Sequence, residues 1–249
     1  MDSSEELTLV VGTRNYSSWS MRPWLVLRHL GVAFAEVDVA VLGKGPNDAL
    51  KGASPSGLVP VLHVRAPGGG GGAEAPMQVW ETLAIVEFLA ERFPGRGVWP
   101  EAPEARAMAR SVSSEMCCGF SALRSEMPCN IKMRTVGYPL PFPPMLAKNV
   151  ARIEELVEVA RARFGAPSGR GPFLFGAYCA ADAMYAPVAT RFRTYNVELK
   201  SAVAREYFAA LLSDASFKAW EAAALTEEAR GLALAHYDEE TLAKGGGCA

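Results

Sequence analysis

The chain of 249 residues contains no apolar run near the roughly 20 residues that a bilayer-spanning helix needs. It has no polybasic stretch and no excess of positive charge, the formal net charge being -2. A transmembrane segment is therefore not expected, and neither nucleic acid nor a membrane surface is the expected partner. Internal repeats, heptads and phosphate-binding glycine loops are also missing. The five glycines at 68 to 72 lack the Gly-Lys-Ser/Thr ending and the strand-to-helix setting of a P-loop. The five cysteines, Cys117, Cys118, Cys129, Cys179 and Cys248, are odd in number and show no metal-type spacing, so reduced thiols and no metal site are expected. The opening "MDSSEEL" is acidic and lacks the features of a secretory or transit signal, which points to a cytoplasmic protein.

What is present is an ordinary globular composition, half hydrophobic and a fifth charged, in a chain long enough for one large or two small domains. Leu7 to Val11 is a short apolar run, and Met21 to Gly31 carries apolar residues at helical spacing before a glycine stop. Phe34 to Val41 alternates as a strand, so the start reads β-α-β. "GLVPVLHV" and "MQVWE" are further strands joined as a hairpin, with the glycine run as an insertion at its tip. Thr82 to Phe93 is helical. Residues 1–94 thus form an α/β domain, and 95–104, rich in proline and glycine, a linker. Residues 105–238 read as all-helical, and 239–249 as a flexible tail. A proline-rich loop at 135–145 is either a plain connection or a lid.

Three stretches carry candidate chemistry. "NYSSWSMRPW" packs four hydroxyls ahead of a helix. Pro23 cannot donate to residue 19, so the helix is expected to begin near Ser20, with Ser20 as its N-cap. "GLVPVL" places Pro60 in a strand-like run, either at an edge-strand start or after a cis bond that would turn the Val59 backbone toward a peptide-like ligand. "WETLAIVEFL" puts Glu81 and Thr82 at a strand-to-helix junction. There Thr82 is expected to cap the helix, and the free N–H groups could take a carboxylate, with Glu81 accepting from an ammonium group. Trp19, Met116, Cys117, Phe120, Tyr138 and Phe142 are candidates to line an apolar cleft between the domains. Arg124, Arg191 and Arg193 are expected to be solvated or paired within the helical domain.

Taken together, these pieces resemble the soluble glutathione transferases. "SSWSMRPWLVLRHLGV" (17 to 32) is similar to the Ser-Ser-Cys segment of the zeta class. "SPSGLVPVL" (54 to 62) is similar to the family's Asn-Pro-x-x-x-Val-Pro-x-Leu, and "ETLAIVEFLAERFP" (81 to 94) to its Glu-Ser-x-Ala-Ile-x-x-Tyr-Leu motif. "FLFGAYCAADA" (173 to 183) is similar to the Gly-x-x-Ser-x-Ala-Asp motif of the helical domain. Trp19 stands where the zeta segment has cysteine, and Cys179 where the helical motif has Ser or Thr.

The resemblance implies a thioredoxin-like N-terminal domain, a helical C-terminal domain, a homodimer, and glutathione as cofactor. It implies that Val59, followed by Pro60, pairs with the cysteinyl backbone of glutathione, while Glu81 and Thr82 hold its γ-glutamyl end. Lys44 or Lys51 would meet the glycine carboxylate. Ser17 would face the thiol, with Ser18 its rival and Tyr16 a third candidate, the alternative being a loop whose hydroxyls serve only the turn and the cap. The implied activity is transfer of glutathione to small apolar electrophiles. The alternatives are a zeta-like glutathione-dependent cis-trans isomerase and a non-catalytic binding protein of the same fold.

Overall fold

The structure is a computed structural model that describes residues 6–40, 47–65, 75–228 and 234–248. Its N-terminal part is built on a four-stranded sheet in the order β2-β1-β3-β4, from β1 (Glu6–Gly12), β2 (Ala35–Val39), β3 (Val61–Arg65) and β4 (Met77–Trp80). β1 pairs parallel with β2, Val10 opposite Val37, and antiparallel with β3, Val10 opposite Val61. β3 and β4 pair antiparallel as the ends of the predicted hairpin. The glycine run 68 to 72 and Lys44 lie outside the described residues.

Two helices complete this layer, α1 (Ser18–Leu30) and α2 (Thr82–Arg92). α1 ends at Gly31, whose left-handed φ of 62° and N–H bond to the Arg28 carbonyl make a glycine C-cap. Leu9, Val11, Leu25, Leu27, Leu62, Ile85 and Leu89 close the space between sheet and helices, all fully buried.

Beyond Arg92 the described chain is helical: α3 (Pro103–Cys118), α4 (Ser121–Glu126), α5 (Pro144–Ala160), the single turn α6 (Ala166–Ser168), α7 (Ala180–Thr194), α8 (Ala202–Ser213), α9 (Ala215–Leu225) and α10 (Ala235–Lys244). The N-terminal and helical parts share one apolar core, because α7 is buried on nearly every side and packs against α1.

The stretch read as a linker runs from beyond α2 to the start of α3 and is packed: Val98 and Trp99 are buried, and the Val98 carbonyl accepts from Ala180 N–H at 2.8 Å. One boundary expectation is corrected. The stretch read as a flexible tail holds most of α10, and beyond it Gly247 O accepts from Val136 N–H at 3.2 Å. Among the described residues no helix is long and apolar enough to cross a membrane, and no group of His, Cys, Asp and Glu could hold a metal ion. The five cysteines are free thiols.

Candidate active site

The N-termini of α1 and α2 open on the same cleft, of about 390 Å³, between the sheet domain and the helices. The sheet-domain wall is made by Tyr16 to Trp19, by Asn47, Leu50 and Ser56 to Pro60, and by Glu81 and Thr82. The opposite wall is Arg124, Pro128, Cys129, Arg191 and Tyr237.

α1 starts two residues earlier than Pro23 suggested. Ser17 is the N-cap, its Oγ accepting from Ser20 N–H at 3.4 Å, and helical geometry begins at Ser18. Proline inside a helix leaves the carbonyl four residues earlier without its donor. Here that carbonyl belongs to Trp19, and the Thr82 hydroxyl donates to it at 3.2 Å. A bond from the other helix offsets the loss, which is why the helix extends past the expected boundary. Thr82 is correspondingly not the cap of α2 but its first residue. The cap position is Glu81, held at φ 69° with no side-chain cap bond. A positive φ at a residue with a Cβ stores strain, and it does so where the free N–H groups of a helix face a cleft.

The loop's hydroxyls have separate fates. Ser17 Oγ–H donates to Ser20 Oγ at 2.8 Å, and Ser20 Oγ also accepts from Gly12 N–H at 3.1 Å. Tyr16 donates to Asp238 at 2.9 Å, and its pKa is raised, chiefly by burial. Ser18 Oγ accepts from Arg191 Nη2 at 3.4 Å, and its own proton has no acceptor among the described residues. Of these hydroxyls, Ser18 is the one free to donate into the cleft.

The Val59–Pro60 bond is cis, and both residues line the cleft. Neither the N–H nor the C=O of Val59 has a partner among the described residues. A backbone donor and acceptor left open together at a cleft wall match what an extended segment, here the one leading into β3, offers to an added peptide.

Among the other residues expected at the site, Trp19 lines the cleft. Met116 and Phe120 lie buried in the core, placed there by the inward face of α3 and the turn that follows it. Tyr138 and Phe142 pack on each other edge to face at 5.7 Å, away from the cleft. Tyr138 donates to Glu126 at 2.7 Å, and burial with that carboxylate pushes its pKa up to about 12. The loop is pinned rather than hinged as a lid, since Tyr138 N–H also bonds the Tyr195 carbonyl at 2.9 Å. Cys117 is half-buried at the end of α3, its thiol pKa raised mainly by desolvation. Lys51 is exposed and pairs with Asp48 at 3.1 Å, outside the cleft.

The arginines depart most from expectation. Arg193 does pair, with Glu221 at 2.6 Å. Arg191 is buried, and among the described residues it donates only to Met127 O at 2.8 Å, Pro187 O at 3.2 Å and Ser18 Oγ. Arg124 donates to the Met116 and Gly119 carbonyls at the end of α3 and faces the Trp19 ring at 5.6 Å. Arg22 is wholly buried, 4.1 Å from the Trp19 ring on its own helix. Its Nε donates to Met184 O at 3.1 Å, while Nη1 and Nη2 have no partner among the described residues. Burial and the charge of Arg191 push the Arg22 guanidinium down to about 9. None of these three arginines meets a carboxylate among the described residues. An arginine carries no sequence mark that separates a surface position from a buried one, so periodicity alone could not have found them.

Residues 16–92 match the family model described as the glutathione S-transferase N-terminal domain. A curated relative, a probable maleylacetoacetate isomerase of Caenorhabditis elegans, is 28% identical over 123 residues. That match spans 49% of this chain and 52% of the relative, so the chain aligns with about half the length of the relative.

Solved structures show the same fold. A glutathione transferase homolog from Burkholderia GL BGR1, with bound glutathione, superposes with TM-score 0.61 at 20% identity over 88% of this chain and 98% of that one. Glutathione transferase Omega 1C from Trametes versicolor gives 0.65 at 17% identity over 91% and 96%. A maleylacetoacetate isomerase from Anaeromyxobacter dehalogenans 2CP-1, with bound GSH in the active site, gives 0.59 at 21% identity over 88% and 96%.

Proposed function

From a chain that carries a glutathione S-transferase N-terminal domain on a glutathione-transferase fold, we infer a cytoplasmic glutathione transferase that ionises the glutathione thiol at the start of α1 and joins it to a small electrophile. The observation that carries this reading is the convergence on one cleft of the Val59 backbone pair, the α2 N-terminus with Glu81, and a serine hydroxyl with a free proton.

Glutathione supplies a thiol nucleophile when bound. Val59 offers its N–H and C=O to the tripeptide backbone, in the manner of strand addition. The N–H groups of Thr82 and Leu83 meet the γ-glutamyl carboxylate with the positive end of the helix dipole, and Glu81 accepts from the neighbouring ammonium group. Ser18 Oγ–H donates to the sulfur, and Ser17 fixes the helix start. A thiol of pKa near 8.5 is ionised more readily beside such a donor and a helix N-terminus. The serine donates a hydrogen bond and forms no covalent bond. Trp19, Leu58 and Pro128 give the electrophile an apolar wall.

A second reading, glutathione-dependent isomerisation of a cis-dienoic dicarboxylate, is favoured by Arg124 and Arg191, two cleft arginines with no carboxylate partner among the described residues. The isomerases named above lend it support. It predicts turnover without loss of glutathione, whereas conjugation consumes one glutathione per product.

The deciding experiment is a glutathione titration followed by thiolate ultraviolet absorbance at neutral pH. Wild type is expected to show the thiolate, Ser18→Ala to lose most of it, and Ser17→Ala to keep it at a reduced affinity. Loss in Ser17→Ala alone transfers the donor role to Ser17. Binding without thiolate in the wild type ends the enzyme reading and leaves a binding protein.

A further inference from the structure

Arg191 sits nine residues beyond Asp182 on α7, in the helical domain, yet its guanidinium reaches the first residue of α1. Each nitrogen of its fork has a partner: Nε the Met127 carbonyl, Nη1 the Pro187 carbonyl, Nη2 Ser18 Oγ. Two fixed carbonyls hold the group in place, and the third arm holds the serine oxygen. Because an arginine N–H can only donate, the serine oxygen is forced to accept, and the serine proton is left to point elsewhere.

The charge itself is unspent. Facing Arg191 are Arg22 from α1, Arg124 from α4, the Cys129 thiol from the following loop and Tyr195 just past the end of its own helix. At the cleft wall beyond them stand Glu81, Tyr16 and Tyr237. Burial lowers the Arg191 pKa, and the neighbouring charge of Arg124 opposes its own. A buried cation lacking a counter-ion is costly, and the cost falls when an anion forms next to it.

We propose that Arg191 is a positioning residue for thiol ionisation: it orients Ser18 so that the hydroxyl proton faces the sulfur, and it supplies uncompensated positive charge behind that hydroxyl. The thiol proton leaves to water, Ser18 Oγ–H donates to the sulfur anion, and Arg191 keeps its own proton throughout. The inference rests on the assignment of Ser18 as thiol donor and adds a residue from the second domain to that machinery.

The test is the pKa of bound glutathione, read from thiolate absorbance against pH at saturating glutathione. It is applied to the wild type, Ser18→Ala, Arg191→Met, Arg191→Lys and the Ser18→Ala/Arg191→Met pair, with folding checked by near-ultraviolet circular dichroism. Arg191→Met is expected to raise that pKa by about one unit, a roughly tenfold loss of thiolate on the acid side of the curve, with a smaller change in glutathione affinity. Arg191→Lys keeps the charge and loses the fork, so its pKa should fall between the two. It also carries the test if Arg191→Met does not fold.

In the Ser18→Ala background the Arg191→Met effect should shrink to the part owed to charge alone, because the orienting part acts only through the serine. An unchanged pKa in both Arg191 variants while Ser18→Ala raises it overturns the inference and leaves the serine reading standing. An equal shift of the two backgrounds by Arg191→Met overturns the action through Ser18. No effect of Ser18→Ala on a normally ionised thiol overturns the serine reading itself, and this inference with it.

Discussion

Thr82 shows how one side chain can decide the shape of a site made by another. Its hydroxyl donates to the Trp19 carbonyl, which Pro23 leaves without a helical partner. Thr82→Val removes the donor at nearly constant volume and leaves a carbonyl unpaired. It is expected to cost about 1 kcal/mol, read from the urea midpoint, while Thr82→Ser stays within a few tenths. Equal stability of Thr82→Val and wild type would mean the bond contributes nothing. The sequence displayed the ingredients here without their arrangement. Pro23 announced a gap in hydrogen bonding, and Thr82 announced a helix start, but nothing in either stretch said that each would answer the other across 63 positions of chain. Ser17 and Ser18 were visible as a pair for the same local reason. The partner that separates their roles, Arg191, comes from 173 residues away.

Elements were more legible than contacts, because periodicity and capping are local. The parallel and antiparallel strands, the glycine stop of α1 and the amphipathic α3 and α5 all follow from residues within a few positions of each other. α7 is the instructive exception. Its cap residue Cys179 is a poor acceptor, yet the helix start is firm because the Asp182 carboxylate accepts from Cys179 N–H at 2.9 Å and from Leu174 N–H at 3.0 Å. Asp182→Ala leaves both donors unpaired in the interior and should cost about 2–5 kcal/mol.

Burial, the largest influence, raises the Asp182 carboxyl from its ordinary 3.8 to about 6. Between those values the folded chain holds more of that proton than the unfolded chain. The contribution of this group is therefore full below about pH 4 and is lost as the pH rises through about 6, an amount of about 3 kcal/mol. Subtracting the stability-against-pH curve of Asp182→Ala from that of the wild type should isolate a downward step in this window. A flat difference would show that the carboxyl titrates near its ordinary value.

At the scale of the molecule, β4 is an edge strand that leaves Met77 51% and Trp80 44% exposed. Large apolar side chains on an open edge are a pairing hazard unless covered, and the homodimer expected from the family resemblance would cover them. Sedimentation velocity should show a species of twice the chain mass, and Trp80→Lys should shift it toward the single chain. A wild type sedimenting at chain mass throughout would remove the dimer.

Asn15 ties the two ends of the chain together ahead of α1. Its side-chain oxygen accepts from Ile131 and Lys132 N–H at 2.9 Å each, its Nδ2 donates to Asn130 at 3.0 Å, and its own N–H meets Glu227 at 2.9 Å. Glu227 also accepts from Arg14 N–H. During synthesis Asn15 is added to the chain 212 residues before Glu227. The loop that presents the serines therefore waits, without that partner, until residue 227 has been translated. The sheet domain can gather its apolar face early, but the site it carries is completed only after Glu227 has been added.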